Sequence, residues 1–254
     1  MLVRLETPLK NGVSFIIPFT KFGAMQKQDF RATLSSLTHG FTPIVDSFFS
    51  QKDYIFLDLS VNNEELKNVD ASSASALGDY INEHLKKANG KVAYGGYNEK
   101  RDIYTRSTYF NQNNPETQRN IHLGLDIWCP SGTAVLAPLS GKLHSYKDNK
   151  NYGDYGPCMI LEHSIKDLHF YTLYGHLSRE SLEGIKVGQL FKQGKTIAHL
   201  GEPFENGDYA PHLHFQIVKD LQGNEGDYPG VSNTSNLPFY LDNCPDPNLL
   251  LKIF

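Results

Sequence analysis

The chain divides into two textures of apolar and polar positions. From about residue 120 onward, short apolar runs recur between Gly, Pro, Asn and Asp: Thr133–Ala137, Lys142–Tyr146, Cys158–His163, His169–Tyr174, Thr196–Leu200 and His212–Val218. Runs of this length and spacing predict the strands of an all-β barrel or sandwich. The first 110 residues read differently. They carry two strand-like runs, Val13–Pro18 and Tyr54–Leu59, and two helical stretches, Gln26–Leu37 and Ser72–Ala88. The second helix has a capping residue at Asp70 or Ser72 and a polar and glycine stop at Asn89-Gly90. Residues 111–119, NQNNPETQR, form a polar, proline-containing connection. The expected organisation is an N-terminal α+β segment over 1–110 followed by a β domain over 111–254.

Composition narrows what such a chain can bind. Its 254 residues hold 24 Lys and Arg against 28 Asp and Glu, a formal charge of −4. No basic surface is therefore available to hold nucleic acid or an acidic membrane by bulk charge. No stretch approaches the roughly 18 apolar residues that a transmembrane helix needs. The longest apolar run near the N-terminus, Phe15–Phe19, is broken at Pro18, so the core of a signal peptide is missing. The expectation is a cytoplasmic protein, or an exported or periplasmic one if a leader has been trimmed. Three cysteines, at 129, 158 and 244, are an odd number that cannot form a complete disulfide framework and fit reduced thiols.

The ten histidines carry more information. Three clusters fall in the β region: His122-Leu-Gly-Leu-Asp126, Tyr174-Gly-His176-Leu-Ser178 and Pro211-His212-Leu-His214-Phe215. Even spacing on a strand puts His122 with Asp126, and His212 with His214, on common faces. Two imidazoles and a carboxylate, with a fourth position left to water, is the donor set of an open, catalytic zinc site. If one of His212 and His214 holds the metal, the other, one strand repeat away, can face substrate. His176 is a second such group, and Tyr174 shares its face if the strand extends that far. A base and an oxyanion donor are what hydrolysis at a metal requires.

In order, HLGLD, AP(x)2G, YGHLS, VGQ(x)4G, LGE and PHLHF resemble the lysostaphin/LytM-type zinc metallopeptidases, with their HxxxD and distant HxH motifs, over Ile121 to about Val218. The glycine-punctuated phrases at 137–143 and 187–201 are similar to the halves of barrel-sandwich hybrid folds. The resemblance implies a LytM-like antiparallel β scaffold with a long groove, and one zinc per chain held by His122, Asp126 and His214. It implies that His176 and His212 orient and deprotonate the attacking water and stabilise the oxyanion of a scissile peptide bond, with peptide or peptidoglycan crosslinks as substrate. A narrower resemblance, carried by YTLYGHLSRESL, ENGDYAPHLHFQ, EGDYPGV and CPDPNLLL, is to the peptidase-like module of bacterial proteins that also contain a kinase-like domain and a class III aminotransferase. Two alternatives stand beside it: an intracellular zinc hydrolase of a small amide or amino-alcohol metabolite, and a homologue that binds without cleaving. His39, His84, His144, His163, His169 and His199 read as fold or surface residues. Cys129 reads as a buried thiol, and Glu162 either as an outer support for a ligand or as a surface charge. Asn111, Asn113 and Asn114 lie where some relatives supply a fourth, latency-conferring ligand.

Overall fold

A computed structural model describes residues 30–106, 117–165 and 167–254. The expected strand Val13–Pro18, the start of the first helix and Asn111, Asn113 and Asn114 lie outside them. A helix over 30–35 is the described part of that first helical stretch. Helix α1, Ala74–Ala88, begins where the Ser73 side chain accepts the amide of Ala76, and ends at Asn89 in the left-handed conformation at φ 52°. Its Leu77 and Ile81 are buried with Leu57, Ala93 and Trp128. Short helices α2, Leu237–Asn243, and α3, Asn248–Leu251, follow near the C-terminus.

Strands in chain order are β1 (Tyr54–Phe56), β2 (Val92–Gly95), β3 (Glu99–Lys100), β4 (Ile121–His122), β5 (Leu125–Trp128), β6 (Ala134–Leu136) and β7 (Gly141–Asn149). They continue with β8 (Gly156–Ile165), β9 (Leu168–Gly175), β10 (Leu190–Phe191), β11 (Thr196–His199), β12 (His212–Val218) and β13 (Val231–Ser232). Eight of them form one sheet in the order β1-β2-β5-β12-β9-β8-β7-β10, with β6 and β11 paired separately and β13-β4-β3 making a third sheet. Among the described residues all strand pairings are antiparallel except β1 with β2. The fold is mainly β, as the apolar runs predict, and antiparallel, as the resemblance implies. Among the described residues the large sheet stays open, with β1 and β10 at its edges, and does not close into a barrel. β2, from the N-terminal segment, hydrogen-bonds directly to β5 of the segment that follows residue 110.

Alternation along β12 explains how this sheet presents chemistry. Leu213, Phe215 and Ile217 enter the main core with Leu125, Ile127 and Tyr174 and with Val135 and Ile197 of the small sheet. Each such side chain contributes roughly 1.5–3 kcal/mol by its burial. The intervening His212, His214 and Gln216 must then share the opposite face.

His163 is a buried histidine away from that face. Its Nδ1–H donates to the Ser140 carbonyl at 3.0 Å, Thr172 Oγ1 lies 2.8 Å from Nε2, and the ring stacks on Phe170. Burial pushes its pKa down from 6.5 to about 4. As pH falls through 6.5 the unfolded chain takes up this proton first, so the stability this group contributes is complete above that pH and drains away toward pH 4. In denaturant titrations between pH 7 and 4.5, the wild-type protein is expected to lose stability more steeply than His163→Gln, by up to about 1.4 kcal/mol per pH unit. Parallel slopes would contradict this.

Candidate metal centre

Asp126 sits in β5 between β2 and β12, directly opposite His214 and, on its other side, Gly95. His122 reaches it by a different route from the one strand parity implies. It belongs to β4 in the third sheet, and the chain bends through Leu123-Gly124 before entering β5. Gly124 is required at the bend, because a Cβ there would stand 2.5 Å from His214 Cε1 and 2.9 Å from the Phe215 carbonyl. Parity also misplaces Tyr174. Strand β9 ends at Gly175 and His176 takes φ 64°, so alternation stops before the histidine. Tyr174 pairs with Phe215 and is fully buried in the core, while His176 is delivered to the opposite side. The expected role of Tyr174 at the substrate is corrected accordingly.

The structure brings His122, Asp126 and His214 together, all buried. His122 Nε2 and His214 Nδ1 lie 3.2 and 3.1 Å from Asp126 Oδ1 and 2.9 Å from each other. The outer nitrogens fix the tautomers. His122 Nδ1–H donates to the Gly96 carbonyl at 2.9 Å, and His214 Nε2–H donates to Gln216 Oε1 at 3.0 Å. Gln216 is itself oriented, since its amide group donates to the Pro229 carbonyl and Cys244 Sγ. Three acceptors therefore converge with no proton among them, an arrangement that costs energy unless a cation fills it. A tetrahedral zinc ion with bonds near 2.0–2.1 Å spaces its ligands by about 3.3 Å, so these donors fit it closely. Burial alone would raise the Asp126 carboxyl, but His122, Arg101 and His212 hold it well below the usual carboxylate range. Burial likewise lowers His122 to about 4, keeping its lone pair available.

His176 and His212 stand beside this trio with ring centroids 4.1 Å apart. Each donates Nδ1–H to a backbone carbonyl, His176 to Asn206 at 2.7 Å and His212 to Ala210 at 2.8 Å. Each therefore keeps an unprotonated Nε2, and that of His212 is 3.9 Å from Asp126 Oδ1. Burial is the main reason both pKa values fall below the ordinary histidine value, helped at His176 by the neighbouring His212. Trp128 stacks on His212, and Tyr209 meets both rings edge-on. These groups line a pocket enclosing about 180 Å³, one side of which is made by Leu59, Leu77 and Ile103 of the N-terminal segment.

Several contributors are absent from the motif reading. Gln216 was within reach of it, having the parity of His212 and His214. Arg101, which bonds Asp126, and Asn206, whose own amide ties the 201–209 loop together, carry no local signal. Glu162 does not support a ligand: it pairs with His169 and Lys142 at the surface. Cys129 is buried in the core, as its offset from Asp126 implies.

Residues 120–227 match the sequence profile of Peptidase family M23. Over 108 residues the chain is 31% identical to the L-Ala--D-Glu endopeptidase of Bacillus subtilis (strain 168), covering 40% of this chain and 31% of that protein. The chain thus spans about a third of its curated relative. Among solved structures it is similar to the catalytic domain of lysostaphin from Staphylococcus simulans, with 23% identity, 64% of this chain and 96% of that one covered, and a TM-score of 0.35. It is similar also to a zinc-containing peptidase from Vibrio cholerae, with 30% identity, 42% and 30% covered, and a TM-score of 0.32.

The outer partner of His214 yields a direct test. Gln216→Met keeps the volume but removes the acceptor that fixes the His214 tautomer, and is expected to weaken zinc binding roughly 10–100-fold while the fold is retained. Competition with a chromogenic chelator, beside circular dichroism, measures both; unchanged affinity would mean that Gln216 does not orient the ligand.

Proposed function

We propose that this chain, with its M23 peptidase region at residues 120–227, is a zinc-dependent endopeptidase that hydrolyses amide bonds in extended peptides such as peptidoglycan crosslinks. The observation that carries the reading is the convergence of three proton-free donors beside two neutral imidazoles whose Nε2 atoms are free. The likeness to an L-Ala--D-Glu endopeptidase supports a peptide of the bacterial wall as substrate.

His122 Nε2, His214 Nδ1 and Asp126 Oδ1 would hold one zinc ion. When bound, the ion supplies Lewis acidity to water and to the scissile carbonyl. The remaining work belongs to the protein. A neutral imidazole anchored through Nδ1–H can take a proton at Nε2 from the attacking water and return it to the departing amine nitrogen. His212, the nearer of the two to Asp126, is suited to that exchange. His176, whose Nε2 is likewise unprotonated, can accept a hydrogen bond from the attacking water and orient it. Their backbone anchors hold both rings in place, so little reorganisation accompanies the reaction. The side wall contributed by Leu59, Leu77 and Ile103 favours a second reading, a small amide as substrate, because it limits the room beside the donors.

Elemental analysis of purified protein should find about one zinc per chain. His212→Ala and His176→Ala should each keep the zinc and lose roughly 100-fold or more in turnover, whereas His214→Ala should lose the ion itself. A panel of purified wall fragments and small amides separates the two substrates: cleavage of wall by wild type but not by His212→Ala removes the small-amide reading. Absence of a zinc-type site would sink both.

A further inference from the structure

The two oxygens of Asp126 face different worlds. Oδ1 looks toward the nitrogens of His122, His214 and His212, at 3.2, 3.1 and 3.9 Å. Oδ2 accepts a 2.6 Å bond from Arg101 Nη1. Arg101 is 3% exposed, a rare location for this side chain, and is held from several directions. Its Nε donates to Glu99 Oε2 at 2.5 Å, its guanidinium lies 5.8 Å from the centre of the Trp128 ring, and its backbone amide donates to the Asn120 carbonyl. Glu99 stands opposite His122 in the β3–β4 ladder, so the ladder that places the histidine also places the guanidinium. A planar fork between two carboxylates has little freedom to release either one.

Resting on the zinc reading above, we propose that Arg101 is a positioning residue that confines Asp126 to binding the metal through Oδ1 alone. Carboxylates bind cations through one oxygen or two, and nothing intrinsic to aspartate selects the first. With Oδ2 engaged by Arg101, the second oxygen is withheld and coordination positions stay open for water and substrate. The residue is bonded to a metal donor rather than being one itself. It acts from the N-terminal segment, outside the region matched by the peptidase family.

Zinc-edge X-ray absorption of the wild-type protein should show a single carboxylate oxygen in the coordination shell. Cobalt-substituted wild-type protein should give the intense visible bands of a four-coordinate ion. Arg101→Met should still bind cobalt, with affinity within about tenfold, but its bands should weaken as Asp126 supplies its second oxygen and coordination rises. Arg101→Lys keeps a cation able to reach Oδ2 and should restore the wild-type intensity. A merely structural role would not move the bands of the folded variant. Two carboxylate oxygens in the wild-type shell, unchanged bands in Arg101→Met, or loss of cobalt from that variant with its fold intact would each overturn the proposal while leaving the zinc reading in place. If Arg101→Met does not fold, the wild-type absorption measurement decides. A wild-type protein that takes up neither metal overturns the zinc reading and this proposal together.

Discussion

A carboxylate sealed from water has to be answered on every side, and the compensation of Asp126 organises this molecule. Two imidazoles meet one oxygen and a guanidinium meets the other. Removing one partner of a buried pair typically costs about 3–5 kcal/mol, because the remaining charge is stranded. The surrounding backbone is arranged to keep those partners in place. β12 lies between β5 and β9, its apolar residues facing the core so that its polar ones face Asp126. The same strand thus contributes to stability with one set of side chains and to chemistry with the other.

Close approach is the second constraint. His214 lies against Gly124 so tightly that a side chain there would displace it, and Gly96, at φ 101°, offers its carbonyl to His122 from a conformation that L side chains rarely adopt. Each imidazole of the site hands its outer N–H to a fixed acceptor: three of these are backbone carbonyls, and the fourth is Gln216 Oε1, whose amide group is tied to the Pro229 carbonyl. Backbone acceptors cannot swing away as side chains do. The inner nitrogens are accordingly aimed by the main chain more than by packing.

Much of this was legible in the residues. The apolar runs from 133 to 218 correspond to strands, and the helix over 74–88 stops at Asn89 as expected, although Ser73, not Asp70 or Ser72, caps its start. The grouping of His122, Asp126 and His214 followed from donor chemistry and a family resemblance, although strand parity was the wrong reason for the first pair. The bend at Gly124 brings them together from two sheets. Tyr174 was misread for a related cause: alternation holds only while the strand lasts, and a positive φ at His176 ends it one residue early. Arg101 and Asn206 were invisible because each acts through a contact distant in sequence, Arg101 with Asp126 and Asn206 with His176. No periodicity records such a contact.

The pairing of β2 with β5, and of β3 with β4, has a consequence for what counts as a module here. The stretch that matches the Peptidase family M23 profile, 120–227, begins after the Gly96 carbonyl, Glu99 and Arg101 and leaves them behind. Cut out as a cassette, it would carry its metal donors but expose a raw sheet edge along β5 and a naked Asp126 oxygen. The stretch that matches the family and the stretch that completes the site are therefore different lengths, and transplanting the site onto another scaffold would have to move the longer one.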